Sequence, residues 1–283
     1  MPHRVARSAA GAAVITAIIV LAACGSGTTY GAGNRGLAAT SASTASATAS
    51  SAGAVKVSSA ASSDARRTKE GEIFFEHVVV GGTDVEYALV LPPTYDAAKP
   101  MPVLFAFPPG GQDHSTTASV TADRWAPEAM KRGWVVLSPV ATDLGLYYDG
   151  KAAALVPALL DALAARYPPE GGRFFLAGVS NGGLSAFRAA LDHPERFRSL
   201  VVFPGYPPEA SDKAKLAVLK DVPVAMFVGG DDSGWRQESE ATKAALDKLG
   251  GKATLDVRNG EGHIIASVTG ADLFNALEAA RAS

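Results

Sequence analysis

Five short runs of apolar residues constrain the fold of this 283-residue chain more than any other feature of its sequence. None of the runs contains a polar side chain, so none has the alternating apolar and polar pattern of a strand with one solvent-exposed face. Continuous apolar runs of this length are typical of strands that are buried on both faces, as in a parallel sheet. The runs are residues 103–107, 134–137, 174–177, 200–203 and 224–228.

Helical segments separate these runs. Before them, residues 73–80 and 85–91 have strand character and are joined through Gly81-Gly82, which predicts a hairpin. Strand and helix then alternate, and this predicts an α/β fold with a mostly parallel, doubly wound sheet and helices on both faces. Ligands of such sheets bind beyond the carboxyl ends of the strands. The predicted helices are 122–131, 152–167, 184–191, 213–219, 237–249 and 273–280, with a further strand at 253–257.

The N-terminal quarter has a different composition. A basic start and an apolar run over residues 14–20 lead to Leu21-Ala22-Ala23-Cys24, the order of regions in a secretory signal. Leu-Ala-Ala-Cys resembles a bacterial lipobox, and the resemblance implies cleavage before Cys24 and a diacylglycerol on its sulfur. The alternative is an ordinary signal peptide with an incidental cysteine. Lipidation would anchor the protein to a membrane of the cell envelope, on its periplasmic or extracellular side.

The rest of the N-terminal quarter is predicted to be a flexible linker. Residues 24–69 are mostly Gly, Ala, Ser and Thr, whose side chains bury too little apolar area to offset the entropy of ordering. The sequence therefore divides into a lipoprotein signal peptide at 1–23, a lipidated cysteine and flexible linker at 24–69, and a catalytic domain at 70–283.

Charge and motifs exclude several function classes. The chain has 26 basic and 28 acidic residues, so it lacks the basic field that holds nucleic acid. Cys24 is the only cysteine, which excludes an intramolecular disulfide. The sequence has no phosphate-binding glycine loop, zinc-protease motif or dinucleotide fingerprint, so we expect no cofactor and no metal.

A candidate catalytic motif lies directly after the run 174–177, and its sequence is Gly178-Val179-Ser180-Asn181-Gly182-Gly183. A sharp turn from strand to helix can hold a serine exposed beside a base, and flanking glycines avoid clashes there. The motif resembles the nucleophile elbow of α/β-hydrolase esterases, and the similarity in strand and helix order extends from about Ile73 to the C-terminus. The elbow is most similar to feruloyl esterases and polyhydroxybutyrate depolymerase-like members. The resemblance implies acyl transfer through serine, acid and histidine in that chain order.

Two histidines and two aspartates follow the serine as candidates. His263 lies after the last predicted strand, where the resemblance places the general base, whereas His193 lies in a turn one helix after the elbow. The acid is expected after run 224–228, and the spacing in the family favours Asp232, with Asp231 as the alternative. We therefore predict Ser180, Asp232 and His263 as catalytic residues.

The predicted oxyanion hole has two backbone donors. One donor should be the backbone N–H of Asn181, directly after the nucleophile. The other should lie after run 103–107, where many family members have His-Gly but this chain has Pro108-Pro109. Proline has no N–H, so Gly110 is the first choice of donor and Gly111 the second.

Aromatic residues in the expected cleft loops are candidates for substrate contacts: Leu146-Tyr147-Tyr148, Trp235 and also His114. The segment 204–222, where larger relatives insert a lid, is short in this chain. We therefore expect an open cleft for small-molecule or polymer-linked esters. A peptidase or amidase of the same fold is the alternative activity. A binding lipoprotein that has lost activity is the other alternative, for which Pro108-Pro109 is the best argument.

Overall fold

The computed structural model describes residues 72–283. The predicted signal peptide, the lipidation site Cys24 and the linker at 24–69 lie outside these residues. Among residues 72–283, no helix is both long and apolar enough to cross a membrane.

The core of the fold is an eight-stranded sheet in the order β1-β2-β4-β3-β5-β6-β7-β8. Only the pairs β1–β2 and β2–β4 are antiparallel. The β1–β2 turn is formed by Gly81 and Gly82, with φ of 57° and 82°, a conformation that glycine adopts readily. The strands are β1 Phe74–Val80, β2 Thr83–Val90, β3 Val103–Phe107, β4 Val135–Pro139, β5 Phe174–Gly178, β6 Phe197–Val202, β7 Val224–Gly229 and β8 Ala253–Arg258.

Helices cover both faces of this sheet, which confirms the predicted α/β-hydrolase architecture. Alternate residues of β3 belong to different hydrophobic cores: Phe105 packs with Phe187 and Leu246, whereas Leu104 packs with Trp125 and Phe274. The helices are α1 His114–Val120, α2 Ala126–Arg132, α3 Gly150–Ala153, α4 Val156–Arg166, α5 Asn181–Asp192, α6 Ala210–Lys213, α7 Ser233–Lys248 and α8 Gly270–Ala282.

All six predicted helices have different bounds in the structure: α5, α7 and α8 begin three or four residues before the predicted starts at 184, 237 and 273. The other three also differ in continuity or helix type. The helix predicted at 122–131 begins earlier, at α1, and reaches α2 through a π-helical turn over Thr121–Trp125. The helix predicted at 152–167 is split into α3 and α4. Pro157 lies in the first turn of α4, where its missing N–H breaks no helical hydrogen bond, so a new helix can begin there. The segment predicted as a helix at 213–219 contains only the end of α6 and a 3₁₀ turn.

The connection between β6 and β7 does not form a cap domain over the sheet. Its 3₁₀ turn, Leu216–Leu219, buries Leu216 and Leu219 in the core on one face of the sheet. The carboxyl ends of the parallel strands therefore lie open, as the short length of residues 204–222 predicts.

Candidate active site

Ser180 lies at the sharp turn between β5 and α5. Its backbone has φ 55° and ψ −118°, outside the regions that a serine ordinarily occupies. The turn requires glycine neighbours: a Cβ on Gly178 would lie 2.0 Å from the carbonyl oxygen of Gly182, and one on Gly182 would lie 2.2 Å from that of Phe107. The close packing of these backbones leaves the serine at the carboxyl edge of the sheet.

Ser180, His263 and Asp232 form one hydrogen-bonded chain in the structure. The Ser180 Oγ is 2.7 Å from His263 Nε2. The other ring nitrogen, Nδ1, is 2.7 Å from Asp232 Oδ2. The carboxylate is more sheltered than the imidazole, with 15% of its side chain exposed against 41%. In a neutral imidazole with the proton on Nδ1, Nε2 is free to accept the serine proton.

The two alternative candidates lie outside this chain of contacts. Asp231 is exposed, and its backbone N–H donates to the carbonyl oxygen of Glu261. His193 follows the last turn of α5, where its N–H donates to the carbonyl oxygen of Ala189. The hydrogen bonds of Ser180 and His263 go to each other and to Asp232, and not to either of these side chains.

A carboxylate clamp shapes the loop that carries His263. The Glu261 Oε1 accepts from the backbone N–H of Ser267 at 2.9 Å, and Oε2 accepts from the Ser267 hydroxyl. These hydrogen bonds to the charged form lower the pKa of Glu261 below its ordinary value. The clamp therefore closes the loop on both sides of His263 at neutral pH.

The loop after β3 brings one of its two candidate glycines to the site. The N–H of Gln112 donates to the carbonyl oxygen of Pro109, which closes a tight turn, and Gly110 within it has φ 59°. Gly110 borders the same groove as Ser180. Gly111 does not border that groove, and a Cβ there would face the Asp113 carboxylate at 3.5 Å.

Two side chains that sequence reasoning did not single out hold this loop in place. The Asn181 Nδ2 donates to the carbonyl oxygen of Gly110 at 2.9 Å. The fully buried Gln112 donates from Nε2 to the Pro108 carbonyl and to the Ser185 hydroxyl, and its Oε1 accepts from the Tyr147 N–H. No local sequence pattern predicts these roles, because each depends on contacts between segments that are distant in sequence.

Aromatic residues flank His263 on the side of α7. The Trp235 ring lies 4.8 Å from the His263 ring and 4.9 Å from that of Tyr206, measured between centroids. Burial raises the pKa of the half-buried Tyr206 above its ordinary value. Trp235 thus borders the site as predicted from its position, and Tyr206 is an additional neighbour.

Tyr147 and His114, which were candidates for substrate contact, have structural partners instead. Tyr147 is fully buried against Phe107 and donates its hydroxyl to the Val140 carbonyl oxygen. His114 stacks on Phe75, with ring centroids 3.9 Å apart, and its Nδ1 is 3.0 Å from a Glu86 carboxylate oxygen. Loop position alone suggested contact with substrate, but packing onto the sheet decides the role of both rings.

A groove of about 560 Å³ lies beside His263, and Trp235 is not among the residues that border it. It is bordered by Ser180, His263 and Gly110, so the candidate nucleophile faces into it. Its size lies within the range of small-molecule sites. Within residues 72–283, no cluster of three His, Cys, Asp or Glu side chains could hold a metal ion.

The comparison with family models gives one match. The model of the family Esterase matches residues 80–262, more than half of the chain, and this range includes Ser180 and Asp232. None of the curated proteins matches the chain at a significant level.

Solved structures of several esterases share the fold. An S-formylglutathione hydrolase from Agrobacterium tumefaciens superimposes with a TM-score of 0.59 at 19% identity, covering 76% of this chain and 96% of its own. A ferulic acid esterase gives a TM-score of 0.54 at 18% identity, covering 68% of this chain and 91% of its own. A thermostable esterase gives 0.56 at 20% identity; the match covers 66% of this chain but only 54% of that protein, about half its length.

Proposed function

The chain belongs to the esterase family, and from this premise we propose that it hydrolyses carboxylic esters with Ser180 as nucleophile, His263 as general base and Asp232 as the orienting acid. The observation that carries the proposal is the continuous contact from Ser180 Oγ through His263 to Asp232, with 2.7 Å at both steps. The three residues come from the turns after β5, β7 and β8, so only the folded sheet assembles them.

The first half of the reaction forms an acyl-enzyme. The Ser180 oxygen attacks the ester carbonyl carbon as His263 Nε2 takes its proton, and the Asp232 carboxylate stabilises the resulting imidazolium. The negative charge on the carbonyl oxygen is stabilised by the backbone N–H groups of Asn181 and Gly110. The tetrahedral intermediate then releases the alcohol, which receives the proton from His263, and the acyl group remains on Ser180.

The second half restores the enzyme. Water attacks the acyl carbon while His263 accepts a proton from it, and the second tetrahedral intermediate collapses to the carboxylic acid. The same proton then returns from His263 to the Ser180 oxygen. One ester and one water thus give one alcohol and one acid, and no cofactor enters the balance.

We propose further that the enzyme works at a membrane surface of the cell envelope. The support is the sequence alone: the lipobox-like Leu21-Ala22-Ala23-Cys24 and the Ala/Ser/Thr/Gly-rich residues 24–69. Lipid on Cys24 would anchor the chain, and the linker would hold the catalytic domain off the lipid. Expression of the full chain with Cys24→Ser should move esterase activity from the membrane fraction to the soluble fraction. Unchanged membrane association would contradict the anchor.

A fluorophosphonate probe tests the catalytic proposal. Wild-type protein should be labelled covalently, and Ser180→Ala should be neither labelled nor active. Absence of wild-type labelling, or labelling that persists in Ser180→Ala, would overturn it. Turnover of matched ester and anilide substrates then separates an esterase from an amidase, since we expect the ester to be hydrolysed far faster. Preferential cleavage of the anilide would contradict the assignment.

A further inference from the structure

We propose that the groove beside Ser180 binds a slender aliphatic chain of the ester, and that Ile264 and the side chains of α1 set the preferred chain length. The inference rests on the proposed ester hydrolysis and specifies the class of substrate. It is carried by the composition of the groove, by a side-chain bridge between two segments that border it and by one unusually exposed isoleucine.

The groove has two walls and a floor that carries Ser180. One wall consists of the oxyanion loop, α1, which contributes Ser119 and Val120, and the π-helical turn, which contributes Asp123 and Arg124. The other wall is the loop after β8, with Ile264 and Ile265 directly following His263. The floor is formed by Val179, Ser180 and Phe203. A chain attached to the reacting carbonyl at Ser180 can therefore lie between aliphatic side chains.

Arg124 joins the two walls beyond Val120. It lies in the π-helical turn, and its Nη1 donates to the Val268 carbonyl oxygen at 2.9 Å. Its Nε lies 3.1 Å from the Asp123 carboxylate. Because this guanidinium already has an anionic partner and a carbonyl acceptor, the groove does not require a charged substrate group. We infer that this bridge limits how far a chain can extend.

Ile264 is the most exposed large hydrophobic side chain among the described residues. It is 83% exposed, against 49% for Val79, 45% for Val218 and 43% for Leu249. It is also the residue next to His263 and lines the groove. An apolar chain in the groove would cover this surface, whereas a short acyl group would leave it in water.

The aromatic residues near the site are separated from the groove. Trp235 packs against the His263 ring and Tyr206 packs against Trp235, but neither borders the groove, where Phe203 is the only aromatic side chain besides the His263 imidazole. The groove itself offers valine and isoleucine methyl groups, which suit a flexible aliphatic chain. We therefore infer esters with an aliphatic chain as the substrates of this site.

The test is a series of nitrophenyl esters from acetate through butyrate and octanoate to laurate. Wild-type kcat/KM should rise from acetate to a maximum and then fall. Ile264→Ser should lower kcat/KM for octanoate roughly tenfold more than for acetate, the scale of losing a methylene or more of hydrophobic contact. Ser119→Trp should fill the groove and move the maximum to a shorter chain. Ile264→Leu should restore most of the octanoate activity.

The control is Leu249→Ser, a similar loss of exposed apolar surface at the end of α7, which should leave the profile unchanged. A parallel series of alkyl acetates shows whether the acyl or the alcohol branch occupies the groove, and a shift in either series supports the inference. If Ser180-dependent turnover persists but neither groove variant alters either profile, the inference is overturned while the esterase proposal stands. If wild-type protein cleaves no ester, the esterase proposal itself fails.

Discussion

The side-chain amide of Asn181 donates from Nδ2 to the carbonyl oxygen of Gly110 at 2.9 Å. This hydrogen bond ties the residue after the nucleophile to the loop that borders the groove from the other side. The backbone N–H of Asn181 and that of Gly110 are the two proposed oxyanion donors. One side chain therefore fixes the distance between the two segments that supply them.

Asn181→Ala should lower kcat roughly tenfold with little change in KM. The substitution keeps both backbone donors but frees the Gly110 loop, so its effect should be smaller than the roughly 10²- to 10³-fold cost of removing a donor outright. Steady-state kinetics measures the split, and fluorophosphonate labelling of the variant checks that Ser180 remains reactive. A change confined to KM would show that Asn181 contacts substrate rather than positions the loop.

The hydrogen bonds of Gln112 lead to a second prediction about the same loop. Its buried amide connects Pro108, Ser185 and the Tyr147 backbone. Gln112→Leu should leave buried polar groups without partners, at about 1–3 kcal/mol for each group. We expect a lower midpoint of denaturant unfolding together with reduced kcat. Ser185→Ala is the matched control, because it removes one of the three connections and should cost less by both measures.

The sheet could be predicted from the sequence because its signal is local. Each continuous apolar run corresponds to a strand, since burial on both faces favours apolar side chains along most of its length. The elbow has a partly local signal, because a Cβ on Gly178 would meet the carbonyl oxygen of Gly182 four residues later, whereas Gly182 is required by its close approach to Phe107 in β3. The apolar runs and Gly178 thus depend on short-range chemistry.

The contacts around the site were harder to predict because they depend on tertiary packing. Gln112 is a polar residue in a loop with no periodic pattern, and only the fold buries it completely. Tyr147 was expected at the cleft, but its ring packs against Phe107 instead. The start of α1 had a usable local signal: Asp113 accepts from the Thr116 N–H as an N-cap, ahead of a segment with weak helix formers.

The choice between the two aspartates after β7 can be tested by paired substitutions. Asp232→Asn should lower kcat by roughly 10³- to 10⁴-fold, because an amide facing His263 Nδ1 favours the wrong tautomer. Asp231→Asn should stay close to wild type, since that side chain is exposed and the imidazole Nδ1 is paired with Asp232. The measurement is kcat for a single ester at a fixed pH near neutrality. The reverse order of effects would assign the orienting role to Asp231.

The Glu261–Ser267 clamp predicts how the His263 loop responds to acid. Hydrogen bonds from Ser267 lower the pKa of Glu261, so the folded loop favours the carboxylate. A lowered pKa stabilises the loop at every pH above the ordinary glutamate value, and this contribution is lost as pH falls through the lowered pKa. The Ser267 amide should therefore be protected from hydrogen exchange at neutral pH and lose protection in acid.

Glu261→Gln provides the comparison, because a neutral amide can still accept from Ser267 but does not titrate. Protection of the Ser267 amide in this variant should be weaker at neutral pH, since the acceptor has lost its charge, and it should vary less with pH once intrinsic exchange is corrected. Glu261→Ala should remove the protection at all pH values and lower kcat, because His263 lies within the released loop. Exchange is the decisive readout here, because it reports the Glu261–Ser267 hydrogen bonds directly, whereas activity also depends on His263. Equal acid sensitivity in wild-type protein and Glu261→Gln would show that another group controls the loop.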